Sequence, residues 1–186
     1  MKNAKLRKLT LCAVMIALST VLSMVKVIQM PFGGSVTLLS MLPVCFISLY
    51  FGVGTGMVTA FAYSLIQLLL DLPAAMSWGM TPTMWVGSIL FDYIIAFSVL
   101  GLAGLFRKKG LPGAGLGVVL VCVLRFISHF ISGSIFFAIW MPEEFSSPFV
   151  YSLVYNGAYM LPEMIVTAIG AVLVFGAVMR LSKNKN

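Results

Sequence analysis

The chain has 186 residues, of which 61% are hydrophobic and 9% charged, and its mean hydropathy is +1.08. That composition excludes an ordinary water-soluble domain and leaves no room for a separate soluble catalytic unit beside the apolar runs. The net charge of +7 lies in clusters that abut hydrophobic segments, so it reads as membrane topology and not as a nucleic-acid-binding surface.

In chain order, the apolar runs predict six helices in one membrane domain covering 1–186, at about 9–28, 38–53, 55–72, 87–106, 116–140 and 149–180. Lys2, Lys5, Arg7 and Lys8 precede the first. This run exceeds the length of a signal-peptide core and ends without a small-residue cleavage site, so it is expected to span. Helices two and three are separated only by the turn Gly52-Val53-Gly54-Thr55-Gly56. Arg107, Lys108 and Lys109 follow the fourth, and Arg180, Lys183 and Lys185 close the chain. An even number of crossings puts both termini on one side, and all three basic clusters fall there, which the positive-inside rule makes cytoplasmic. The outer side receives 26–37, 73–86 and 141–148, with Pro31, Gly33, Gly34, Trp78, Trp85 and the pair Glu143-Glu144. Trp78, Trp85 and Trp140 suit an interfacial aromatic belt, or a cover over an outward-facing pocket. No internal repeat is evident, which argues against inverted-repeat transporter folds. Small residues at four-residue spacing, Ala13-x-x-x-Ala17 and Gly52-x-x-x-Gly56, suit close helix packing or docking of a second membrane subunit.

Ionisable groups inside apolar runs are costly in lipid and mark binding or transport paths. Asp92 with Tyr93, Arg125 with His129, and Glu163 with Asn156 nearby are the clearest cases. Arg125 and His129, spaced i, i+4, share a helix face. At 1.5 Å per residue, Asp92, His129 and Asn156 lie roughly 8, 16 and 10 Å from the expected outer helix ends. Asp92, Tyr93, His129, Tyr151 and Asn156 are therefore expected to converge in the outer half. A carboxylate with aromatic faces suits a cationic heteroaromatic ligand. Arg125 and Glu163, both about 21–22 Å deep, are expected to form a buried structural ion pair, with direct ligand contact by Glu163 as the alternative. A single histidine without a second ligand at i+3 or i+4 does not make a metal site. Cys12, Cys45 and Cys122 are isolated in apolar runs and suggest packing, not a disulfide.

Nearly the whole chain resembles the thiamine-specific substrate-binding (S) component of energy-coupling factor vitamin transporters. The likeness is carried by PFGGSVTLLSMLPV, by FDYIIAF followed by LGLAGLFRK, by LRFISHFISGSIFF and by YSLVYNGAYMLP. It implies a six-helix bundle in the bacterial inner membrane that takes up thiamine from outside. A transmembrane coupling subunit and two cytoplasmic ATPases would then drive its release inward. The chain has no GxxxxGK[ST] phosphate loop, so ATP hydrolysis is expected in those partners, with no catalysis or cofactor of its own. The resemblance assigns ligand contact to Asp92, Tyr93, His129, Gly133, Phe137, Tyr151 and Asn156, and coupling-subunit docking to Ala13 and Ala17. Three departures stand out. Asp92 occupies a position often held by glutamate, Phe137 replaces a tryptophan that stacks on the ligand, and a further stacking tryptophan falls near Gly34. Trp78 or Trp85 is a candidate to replace the last. Rival readings are an S-component for another vitamin or a thiamine precursor, an intramembrane enzyme using His129 and Asp92 as acid and base, and a solitary proton-coupled carrier.

Overall fold

The computed structural model describes residues 2–183; Lys185 of the last basic cluster lies outside them. Helix α1 is Lys2–Met24. It begins within the basic segment and not at residue 9, because Lys, Arg, Leu and Ala are all good helix formers. It also stops before residue 28. The β-branched residues that follow pair as a hairpin of β1 (Lys26–Gln29) and β2 (Ser35–Thr37), antiparallel, with Lys26 opposite Thr37 and Gln29 opposite Ser35. Its tip, Pro31–Gly33, holds Phe32 at φ 55, a backbone conformation rarely adopted by a bulky side chain. The segment expected as a loop is therefore an ordered element.

Helix α2 (Leu42–Phe51) starts with Pro43 in its first turn, where no backbone donor is lost, and stops at Gly52. Helix α3 (Val53–Met76) continues past Pro73, beyond its expected end at residue 72. Proline removes one i→i−4 donor, and the helix ends within a turn of it, at Met76. Helix α4 covers 82–109 and begins with Pro82 behind Thr81, whose hydroxyl accepts from the Met84 N–H. Its winding changes along its length, from α to a wide π-type turn over Ile89–Ile95 and then to the tight 3-10 form over Val99–Lys109. Helix α5 (Gly110–Ile135) follows directly and starts earlier than residue 116, with Pro112 tolerated in its first turn. Helix α6 is Pro148–Lys183.

α5 packs along α6 and against the inner stretch of α4, and that stretch also packs on α2 and α3; α1 rests on α2 and α3. Val44, Ile47, Tyr63, Leu100, Val118 and Val121 are fully enclosed between these helices. The Ser48 hydroxyl donates to the Gly101 carbonyl and accepts from the Gly104 N–H, tying α2 to α4. Leu9, Val58, Leu69, Leu105, Leu153 and Leu173 point outward and are exposed, as a lipid-facing surface requires.

Four runs are long and apolar enough to cross a membrane: Asn3–Met24, Val53–Met76, Pro82–Ile135 and Pro148–Ser182. The expectation of six spanning helices is thus met only as a predominantly helical membrane bundle. Leu42–Phe51 has 10 residues, too few to cross unaided, and Pro82–Ile135 is one 54-residue apolar stretch. That stretch folds back on itself at Gly110, where φ 69 and ψ −143 make a turn open essentially to glycine alone. Gly110→Ala is expected to destabilise the bundle by about 1–3 kcal/mol, read as a lower midpoint of thermal unfolding in detergent.

Candidate functional site

Between the hairpin and the helices lies a cavity of about 490 Å³, lined by the end of α1, the hairpin, Ser40 and Met41 ahead of α2, and by α3, α4, α5 and α6. That is within the usual range for small-molecule sites, about 300–1,000 Å³. Asp92, Tyr93, His129, Gly133, Phe137, Tyr151 and Asn156 all line it. Ala13 and Ala17 do not; they are exposed on α1.

The polar centre is a chain of three side chains. Arg125 Nε donates to His129 Nε2 at 3.2 Å, which leaves the His129 Nδ1–H to donate to Asp92 Oδ1 at 2.9 Å. The arginine therefore sets the histidine tautomer. Asp92 Oδ2 accepts from the hydroxyls of Ser88 and Ser132, at 2.9 and 2.5 Å. Both carboxylate oxygens are thus occupied by the protein. The π-type turn over Ile89–Ile95 carries Asp92 and Tyr93 and brings these adjacent residues to the same cavity wall.

Asn156 is engaged as well: its amide nitrogen donates to the carbonyl and hydroxyl of Ser152, and its oxygen accepts from the Tyr159 hydroxyl at 2.8 Å. By contrast, the Tyr151 hydroxyl makes no hydrogen bond among the described residues, so it is available to a ligand. At Gly133 α5 packs against α6 with no room for a side chain. A Cβ there would fall 2.4 Å from the Ser152 hydroxyl and 3.2 Å from the Asn156 amide nitrogen.

The direct Arg125–Glu163 ion pair expected from matched depths is not formed: the two charges make no contact within 4 Å. Arg125 instead bonds His129 and lies with its guanidinium carbon 4.0 Å from the Phe97 ring centre. Glu163 Oε1 accepts from both the backbone N–H and the hydroxyl of Thr37 in β2. Equal depth misled because it gives no azimuth around the bundle, and the hairpin that supplies Thr37 was read as a loop.

Aromatic rings close the cavity on the hairpin side. Phe32, Trp78, Phe137 and Trp140 form one cluster, with centroids 5.3–6.3 Å apart in edge-on and tilted contacts. Of the two candidate tryptophans, Trp78 reaches the cavity and Trp85 does not line it. Tyr155 anchors the hairpin from α6, donating its hydroxyl to the Pro31 carbonyl and accepting from the Gly34 N–H at 3.1 Å.

Phe32, Asp71, Ser132, Tyr155 and Tyr159 line or build the site without having been singled out in the sequence. Asp71 had a signal: it is one of only five acids and follows an apolar run, close to the expected end of helix three. The serines and tyrosines carry no comparable mark, because hydroxyls are common in membrane helices. In charge, the lining holds three carboxylates (Asp71, Asp92, Glu163) against two cations (Lys26, Arg125). With His129 neutral the cavity carries one net negative charge, inside a chain of net charge +7.

An apolar-surfaced helical bundle built around a partly open, aromatic-walled cavity with a polar centre is the form of a membrane protein that takes in a small molecule. A profile described as "Thiamine transporter protein" matches residues 9–183. The thiamine transporter ThiT of Bacillus subtilis (strain 168) is 32% identical over 197 residues, covering 98% of this chain and 97% of that one. The solved structure of ThiT from Listeria monocytogenes superposes with a TM-score of 0.76 at 22% identity, covering 96% of this chain and 98% of that one, and so shares its fold. The chain belongs to the thiamine transporter protein family.

Tyr155→Phe removes both contacts to the hairpin tip. The Gly34 amide is expected to exchange about 5-fold faster in hydrogen–deuterium exchange, for the loss of roughly 1 kcal/mol of hydrogen bonding, while helices α2 to α5 keep their protection.

Proposed function

We propose that this thiamine transporter is the substrate-capture subunit of an energy-coupling factor importer, a single membrane domain that binds thiamine from the extracellular side. The observation that carries the ligand assignment is the cavity itself, which combines one net negative charge with aromatic walls. A monocation bearing two flat heteroaromatic rings matches it in charge and in surface, while an anionic ligand would meet an excess of carboxylates.

In this reading His129, Phe137 and Tyr93 pack against the rings, and Tyr151 offers its free hydroxyl. Asn156 adds a polar edge, and Gly133 lets the ligand approach the backbone. Asp92 contributes charge, and it acts on contact geometry through His129, since its oxygens are already engaged. Its short side chain is long enough for this role because Ser88 and Ser132 lie within direct reach. The aromatic cluster and the hairpin form the cover on the entry side.

The basic segments at the two ends and at 107–109 support both termini being cytoplasmic in a bacterial inner membrane, with six crossings once the folded-back run is counted twice and α2 is included. Transport then needs an energy source outside the chain. Ala13 and Ala17 lie exposed on α1 with four-residue spacing, which supports that helix as the docking face for a transmembrane coupling subunit served by two ATPases. Family membership favours transport over the intramembrane-enzyme reading of His129 and Asp92.

Two experiments test this function. Calorimetric titration in detergent is expected to show tight thiamine binding that falls about 10- to 100-fold in Asp92→Asn, since a buried charge-assisted network loses its acceptor. Unchanged affinity in that variant defeats the site assignment, and preference for the free pyrimidine or a phosphate ester over thiamine defeats the substrate assignment. Ala13→Trp combined with Ala17→Trp is expected to abolish uptake in cells while leaving binding in detergent within about 2-fold, because these residues lie outside the cavity. Uptake that persists without any ATPase partner points instead to a solitary carrier.

A further inference from the structure

Glu163 is only 4% exposed, and its two oxygens are treated unequally. Oε1 accepts twice from Thr37, whereas Oε2 is buried without a hydrogen-bond partner. Buried polar atoms are nearly always paired, and an unpaired oxygen on a carboxylate inside a membrane bundle is among the most costly exceptions. Glu163 lines the cavity, so the missing donor can come from a bound ligand. Asp92 is not in this position, since both its oxygens are occupied. Arg125 lines the same cavity. It uses Nε on His129, and its terminal nitrogens make no hydrogen bond among the described residues. The cavity thus offers an acceptor lacking a donor together with donors lacking an acceptor. An aminopyrimidine edge presents the complement, an N–H donor beside a ring-nitrogen acceptor.

We propose that Glu163 is a specificity-determining residue that accepts a hydrogen bond from the ligand's exocyclic amino group at Oε2 while Oε1 holds the hairpin through Thr37. This rests on the thiamine reading and adds to it a direct ligand contact. One carboxylate then links recognition of the amino group to the seating of the cover. A ligand carrying a carbonyl in place of the amino group would set oxygen against oxygen and be rejected.

The test is calorimetric titration of the full-length protein in detergent with thiamine and with oxythiamine, in which a carbonyl replaces the pyrimidine amino group. Wild type is expected to bind oxythiamine at least about 10-fold more weakly than thiamine. Glu163→Gln keeps the shape and an acceptor for Thr37 but replaces Oε2 with an amide donor. It is expected to weaken thiamine binding about 10- to 100-fold and to hold or improve oxythiamine binding, so that the preference narrows or inverts. Thr37→Val leaves Oε2 intact and is expected to weaken both ligands by the same factor. Parallel loss of both ligands in Glu163→Gln, or no change in either, overturns the proposal. So does a wild type that binds the two equally, which requires no variant. If Glu163→Gln does not fold, Glu163→Asp decides: its retracted carboxylate must lose preference for thiamine, and retained preference overturns the proposal. A wild type that binds neither ligand refutes the thiamine reading itself.

Discussion

Lipid cannot solvate a charged side chain, so every ionisable group inside this bundle has to find its partners within the protein or its ligand. The Arg125–His129–Asp92 chain is the arrangement through which the site meets that constraint. Arginine cannot give up its proton, so it holds the histidine in one tautomer; the histidine donates to the aspartate; two serines complete the carboxylate. The chain joins α4 to α5, and the orientation of the imidazole facing the cavity follows from it. The local winding of α4 follows the same need. A regular helix through Ile89–Ile95 would turn Asp92 and Tyr93 further apart, and the π-type turn places both at the cavity at the cost of weaker backbone bonds.

The second constraint is that a cavity closed to lipid must still admit its ligand. The hairpin has seven strand residues; all four of β1 are exposed, and burial is confined to β2, at Val36 and Thr37. It is therefore held from outside, by Tyr155 at the tip and Glu163 at the base, both on α6. The tip contacts lie where water can replace them on opening, whereas Glu163 is almost wholly buried. Opening from the tip is consequently less costly than release of the base. The hairpin is better described as hinged near Thr37 than as free. Phe32 at φ 55 points the same way, since a strained backbone persists only where surrounding contacts such as the aromatic cluster hold it.

The order of elements and much of the site were legible in the sequence for one reason: charge is so scarce in an apolar chain that each ionisable residue is informative. Asp92, Arg125, His129 and Glu163 were found that way, and they do share a cavity. What failed was geometry that hydropathy does not encode. The hairpin at 26–37 lacks the two-residue turn that signals one, and its short strands alternate weakly. Helix bounds also shifted: Pro82 and Pro112 sit in first turns, where a missing donor costs nothing, and α3 runs on through Pro73 for one short stretch before ending at Met76. The Arg125–Glu163 pairing failed because two residues can share a depth and still face different neighbours. Asp71 was missed close to one of these misplaced boundaries, since α3 runs on to Met76.

These corrections alter how the site treats charge. An Arg125–Glu163 pair would have cancelled two of the five charges and left Asp71, Asp92 and Lys26 to set the field. With the pair unformed, all three carboxylates remain distinct, and each is compensated differently. Asp92 is satisfied by three donors, Glu163 is satisfied on one side only, and Asp71 forms no ion pair among the described residues. Field and hydrogen bonding are therefore separable in this cavity. The net negative charge favours a cation anywhere within it, because Coulomb attraction in a poorly screened interior falls off slowly with distance. The unpaired oxygen of Glu163 is directional and acts only over hydrogen-bond distance. A ligand with a fixed positive charge on one ring and an amino donor on the other satisfies both demands at once. A simple cation meets only the first, and a neutral aminopyrimidine only the second. On the proposed reading, discrimination arises from requiring the two together, which gives three carboxylates a part in holding a molecule of single charge.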